Sequence, residues 1–177
     1  MVSGAGGDVV TTDTSTSTRT APIALGSDDA GAALKEVIKA YLEGRGYTVD
    51  DYGNEADDDY PDVAYRLAKD VAERGLERGI LICGTGIGMA ITANKVAGVR
   101  AAQAHDTYSA QRARKSNNAQ ILALGSRVVA AELAQEIVGA WLASEFEGGN
   151  SSRKVSKMEQ IDRDERPQNP PGESEAG

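Results

Sequence analysis

The sequence predicts an α/β fold: a three-layer α/β/α sandwich around a five-stranded parallel sheet. Two observations carry this. Short apolar runs alternate with amphipathic stretches along most of the 177 residues, an order that calls for a parallel sheet covered on both faces with right-handed crossovers. One run, GILIC, is apolar at four consecutive positions, as expected for a strand buried on both sides.

Each element follows from its pattern. PIALG is a first strand. Residues 31–45 (GAALKEVIKAYLEGR) place apolar side chains at helical spacing, and Gly44 and Gly46 mark the end of that helix. YTVDDYG is a short second strand, residues 61–74 a second helix and GILIC the third strand. A helix starts around Ala90–Lys95. VRAAQA is the fourth strand, and a helix covers 107–116. AQILALG is the fifth strand, a helix covers 130–144, and a last helix runs from Ser152 to about Ile161.

The ends have a different character. Residues 1–20 are mostly Gly, Ser, Thr and Asp with no apolar periodicity, and residues 162–177 are charged and proline-rich, so both read as disordered tails around one domain at 21–161. The amino-terminal stretch lacks the apolar core of a secretory signal. No apolar run approaches the ~20 residues a membrane helix requires. A single cysteine leaves no internal disulfide and fits a reducing cytoplasm. The net charge of −8 argues against a nucleic-acid footprint, while a local site for a small anion stays open.

In parallel sheets ligands bind beyond the carboxyl ends of the strands. That selects SDDAG (27–31), DDDYP (57–61), CGTGIG (83–88), HDTYS (105–109) and GSRV (125–128). Gly84, Gly86 and Gly88 let the backbone aim successive N–H groups at one point, and the following helix adds its positive dipole end. Such a loop holds a phosphate or a negative charge that develops during reaction. The spacing is not that of the dinucleotide fingerprint, which also follows the first strand rather than the third. Cys83, at the mouth of the loop, is either a small buried hydrophobe or a thiol that this field turns into a nucleophile or a base. The only histidine, His105, ends a different strand.

GSDDAG, DDDYP, CGTGIGMAITANKVAGVRAA, HDTYSAQRARKSNNAQILALGSRVV and AWLASEFEGG together resemble the B-type ribose-5-phosphate isomerases, a family that includes the galactose-6-phosphate isomerase subunits. The resemblance covers about residues 23–161. It implies a Rossmann-like sandwich, a homodimer or homotetramer with active sites at a subunit interface, a small sugar-phosphate substrate, and aldose–ketose isomerisation through an enediolate with no metal or organic cofactor. It implies that Cys83 shuttles the proton, that the amides of Gly84 to Gly88 and the Thr85 hydroxyl stabilise the enediolate oxygen, and that Asp28 handles a substrate hydroxyl proton. Tyr60 then lines the sugar site, and Asn117 and Arg127 contact the substrate and its phosphate, reaching across to the partner's site. By residue type alone Asp28 is equally a helix cap and Arg127 a solvated charge.

The chain departs from the family pattern at three places. Asp29 stands where the family's Gly-Ser-Asp-His-Ala-Gly has histidine. Ser116 replaces the histidine of a His-Asn pair credited with opening the sugar ring. GGNSSRKV puts Asn150 and Lys154, with Arg153 close by, where two phosphate-binding arginines are expected. Losing the ring opener points to a substrate with no ring. A tetrose 4-phosphate cannot close through its esterified oxygen, and HDTYSA…SNNAQ resembles the family's branch acting on erythrulose 4-phosphate. Ribose 5-phosphate is the alternative, with His105 either replacing the missing acid or standing on the surface without a role. A module that keeps the fold and has lost the chemistry is the alternative of another kind.

Overall fold

The computed structural model describes residues 21–53 and 58–166. The expected tail at 1–20, residues 167–177 of the tail expected at 162–177, and Asp57 of the DDDYP segment lie outside the described residues, whereas 162–164 of that tail are helical. The elements follow the order β1 (Ile23–Ser27), α1 (Ala32–Glu43), β2 (Val49–Tyr52), α2 (Tyr60–Glu73), β3 (Gly79–Cys83), α3 (Ile87–Ala93), β4 (Ala101–Gln103), α4 (Thr107–Asn117), β5 (Ile121–Gly125), α5 (Ala131–Leu142) and α6 (Asn150–Asp164). The five strands pair in parallel, as the alternation of elements predicts, and the structure sets their order as β2-β1-β3-β5-β4.

Strands β1, β3 and β5 are buried at every position because helices cover both faces. Ile23, Leu25, Ile80, Ile82, Leu122 and Leu124 point to the face covered by α1, α4 and α5, where Trp141 is fully buried. Ala24, Leu81, Cys83, Ile121 and Ala123 point to the face covered by α2 and α3. Each enclosed Leu or Ile contributes ~1.5–3 kcal/mol of burial, so this alternation fixes strand register. The chain leaves β1 and β3 in opposite directions across the sheet. The switch point between them opens a crevice at their carboxyl ends, which are the ends carrying Asp28 and Cys83.

Two boundaries differ from expectation for physical reasons. Helix α3 begins at Ile87, three residues before Ala90, so Gly88 belongs to its first turn and the connecting loop is only Gly84–Gly86. Helix α6 starts at Asn150 and runs through Asp164, past the boundary expected at residue 161. Tertiary anchors hold its end. Asp162 accepts the Gly98 N–H at 2.8 Å and the Arg166 guanidinium at 2.6 Å, Arg166 also reaches the Lys95 carbonyl, and Glu159 pairs with Arg100.

The Arg166 guanidinium holds the Asp162 carboxyl below the usual carboxylate range; burial opposes this, and the Gly98 N–H supports it. A depressed carboxyl stabilises the fold above its unfolded value near ~3.9 and loses that contribution as pH falls through the folded value. Asp162→Ala should therefore cost ~1 kcal/mol or less at neutral pH, as partly exposed pairs do. Hydrogen exchange should show lost protection at the Gly98 amide and in the last turn of α6, with the sheet unchanged.

Candidate active site

The loop after β3 is shaped by what lies beneath it. Gly86 adopts φ +77°, and a Cβ there would approach the Leu124 backbone carbon to 2.9 Å. Reciprocally, a Cβ on Gly125 would lie 2.7–2.8 Å from the backbone of Thr85. The ends of β3 and β5 therefore pack backbone on backbone. They are also fastened: Ser126 N–H donates to the Cys83 carbonyl at 2.9 Å, and Arg127 N–H to the Gly84 carbonyl at 3.1 Å.

This packing turns the Gly86 N–H onto the Cys83 sulfur, at 3.1 Å from Sγ. Cys83 is 5% exposed and largely screened from water. Thr85 is exposed, and its hydroxyl accepts the Ile87 N–H at 3.4 Å. With Gly88 in α3, the amides of this segment belong partly to the loop and partly to the first turn of that helix, whose N–H groups lack intrahelical partners.

Other expected residues gather at the same edge. One carboxylate oxygen of Asp28 accepts the Gly31 N–H at 2.9 Å in the turn before α1, whose N-cap is Gly31, and the residue sits beside β3, with its own N–H on the Ile82 carbonyl. Asp29 is exposed in the same turn. Tyr60, the first residue of α2, lays its ring over Gly88, where a Cβ would be 2.3 Å from the ring. The Arg127 side chain lies over Gly84 of its own chain, where a Cβ would be 3.4 Å from Nε. Arg127 is exposed, so the side chain that lies over Gly84 also faces solvent.

His105 is half-buried at the end of β4, and its Nε2 accepts the Gly125 N–H at 3.0 Å. It is neither a free surface histidine nor remote from the loop. Sequence reasoning missed Gln103, whose Nε2 donates to the Thr85 carbonyl at 2.6 Å. It also missed Ser126, whose hydroxyl donates to the Ala30 carbonyl at 2.7 Å and so ties the β5 loop to the β1 loop. A polar residue closing an apolar strand was the available signal for both.

Five expected residues are elsewhere. Helix α4 runs from the carboxyl end of the sheet to its amino end, so Ser116 and Asn117 lie at the opposite edge, where the Asn117 carbonyl accepts Arg100 Nε at the start of β4. Five-residue strands separate the two edges by ~15 Å. Ser116 accepts a hydrogen bond from the Arg112 guanidinium, and the Arg112 carbonyl accepts from the Asn117 amide. Asn150, Arg153 and Lys154 occupy the exposed first turns of α6. The loop before α6 is held to the end of α4 by the Glu147 N–H on the Lys115 carbonyl and by Glu147 beside Arg112 and Lys115. Cationic and amide side chains thus collect at one edge, and the thiol and its amides at the other.

Comparison with known proteins agrees with this geometry. A family model described as Ribose/Galactose Isomerase matches residues 23–158. The D-erythrulose-4-phosphate isomerase of Pectobacterium atrosepticum is 60% identical over 139 residues, which span 77% of this chain and 91% of that protein. The Ribose-5-P isomerase B of Listeria innocua is 47% identical over 81% of this chain and 99% of its own length. The solved structure of ribose-5-phosphate isomerase B from Clostridium thermocellum superposes with a TM-score of 0.78 at 45% identity, covering 81% of this chain and 98% of that one. The chain belongs to the ribose/galactose isomerase family and is a sugar-phosphate isomerase.

Gly125→Ala should test the backbone contact under the loop. The added methyl cannot be accommodated without moving Thr85. Overpacking of this kind costs ~1–3 kcal/mol, and a displacement near 1 Å at a reacting centre costs ~10²-fold in rate. Turnover should fall by about that factor while the melting transition remains cooperative.

Proposed function

We propose that this isomerase interconverts D-erythrulose 4-phosphate and D-erythrose 4-phosphate through a cis-enediolate, using no metal or organic cofactor. The observation that carries the choice of substrate is Ser116, whose hydroxyl does not titrate near neutral pH and already accepts from Arg112. A site so equipped has no histidine there to open a furanose ring. A four-carbon sugar esterified at its terminal oxygen needs none. The 60% identity to a D-erythrulose-4-phosphate isomerase supports the same reading.

In this mechanism the Cys83 thiolate removes a proton from C1 of the ketose and returns it to C2. The carbonyl electrons move onto O2 as the C1–C2 double bond forms. The amides of Gly84 to Gly88 and the Thr85 hydroxyl stabilise that oxygen, and Asp28 carries the O1 proton to O2. Tyr60 walls the sugar, with Asp29 beside the entrance, and Arg127 supplies a cation over Gly84. Ser116, Asn117, Asn150, Arg153 and Lys154 of a second copy complete the substrate and phosphate contacts in a homodimer or a larger homo-oligomer. Their position at the opposite edge of the sheet supports such an arrangement, because no single chain brings them to Cys83. The lone thiol chemistry suits the reducing cytoplasm.

A second reading rests on His105, which lies at the thiol's edge of the sheet. With ribose 5-phosphate as substrate, its Nδ1 would be the nitrogen left to serve ring opening.

Two experiments test these assignments. Cys83→Ser should lower turnover by ~10²–10⁴-fold with the fold intact, the usual loss for a positioned acid–base group. A variant that turns over normally removes Cys83 from the reaction and revives a non-catalytic role for the loop. In a panel of four- to six-carbon sugar phosphates, kcat/KM should be highest for erythrulose 4-phosphate, and Ser116→His should improve the ribose 5-phosphate reaction specifically. A wild-type preference for ribose 5-phosphate that His105→Ala abolishes would overturn the tetrose assignment.

A further inference from the structure

Strands β4 and β5 pair in parallel as far as Gln103 and Ala123, and the Ala104 N–H still donates to the Ala123 carbonyl. Continuing the ladder would send the next inward N–H of β5, that of Gly125, to the Ala104 carbonyl. It goes instead to His105 Nε2 at 3.0 Å. An imidazole nitrogen has taken the place of a backbone carbonyl at the last rung. Gly125 is buried, so its N–H has no recourse to water if the ring leaves.

The rung lies directly beneath the reacting loop. Gly125 is packed against the backbone of Thr85, Gly86 against Leu124, and the Gly86 N–H rests on Cys83 Sγ. The neighbouring side chain of β4, Gln103, grips the Thr85 carbonyl from the same strand. Just beyond His105, Asp106 caps α4 by accepting the Ser109 N–H at 2.6 Å, which fixes the backbone that presents the ring. Gln103 and His105 thus hold the two peptides on which the geometry of the thiol depends.

We propose that His105 is a positioning residue for Cys83: its Nε2, as the acceptor for Gly125, sets the floor of the loop, and the ring transfers no proton to or from the sugar. The proposal rests on the reading of the Cys83 loop as the reacting centre. A neutral imidazole with its proton on Nδ1 fills the role, and so does any side chain that offers an acceptor at the same reach.

The test uses His105→Gln, whose Oε1 can accept from Gly125 but cannot act as an acid near neutral pH, and His105→Leu, which has no acceptor. Two quantities are read in the full-length protein: kcat and KM with erythrulose 4-phosphate or ribose 5-phosphate, and the rate at which iodoacetamide alkylates Cys83, the only thiol in the chain. His105→Leu should lower kcat by ~10–100-fold with KM nearly unchanged and should alter the alkylation rate. His105→Gln should keep both quantities within about threefold of wild type. If the leucine variant does not fold, His105→Asn, whose amide is too short for Gly125, takes its place with the same expectation.

Equal loss of kcat in the glutamine and leucine variants, with unchanged thiol reactivity, would make the ring a proton carrier and overturn the proposal. Wild-type kcat in the leucine variant would overturn it too. Alkylation does not depend on the substrate, so failure of the isomerase assignment would show separately, as normal turnover in Cys83→Ser.

Discussion

The close contact of two backbones, Leu124–Gly125 against Thr85–Gly86, is the constraint from which the rest of the site follows. It requires glycine on both sides, and it exists because β3 and β5 are neighbours whose last paired residues are Cys83 and Gly125. Once the contact is made, the loop has one course available. The Gly86 amide meets the sulfur, and the segments after β3 and β5 are joined by the Ser126 and Arg127 N–H groups. The proposed proton transfer gives a lone thiol at the end of an apolar strand, beside alternating glycines, a chemical purpose. A buried hydrophobe would need no such floor.

The distribution of charge follows a related logic. In the proposed reaction a chain of net charge −8 handles an anionic substrate locally, with backbone amides assigned to the developing negative charge and cations to the phosphate. The amides are at the carboxyl edge of the sheet, and Arg112, Lys115, Arg153 and Lys154 are at the amino edge and on the adjoining turns of α6. One chain cannot fold these onto each other, because α4 must run back along the length of the sheet before β5 begins. A symmetric pair can, since each copy offers both edges.

Much of this was legible in the sequence, and the remainder failed for identifiable reasons. GILIC and AQILALG declared buried parallel strands because burial on both faces removes the polar alternation. The site loops followed from strand polarity, and SDDAG and CGTGIG flank the switch point. The start of α3 was misplaced because Gly88 reads as a helix breaker, whereas here it is the surface on which the Tyr60 ring rests. The end of α6 was cut short because Asp162 and Arg166 are held by residues more than 60 positions away. The roles of Gln103 and His105 depend on partners 18 and 20 residues distant on another strand, a relation that no local pattern encodes. Asp28 was offered as a cap or a functional acid; the cap of α1 is Gly31, and Asp28 holds the turn before it through the Gly31 N–H.

The central claim is that each reacting centre joins the thiol edge of one protomer to the amide-and-cation edge of another. Subunit complementation tests it most directly. Cys83→Ser and Asn117→Ala chains, each nearly inactive alone, are co-expressed with different tags, and the mixed oligomer is isolated and assayed. The account predicts restored turnover, ~50% of wild type per mixed dimer, because one of its two sites is then free of both substitutions. Activity no higher than the mean of the two parent variants would contradict it and place the whole reaction within a single chain.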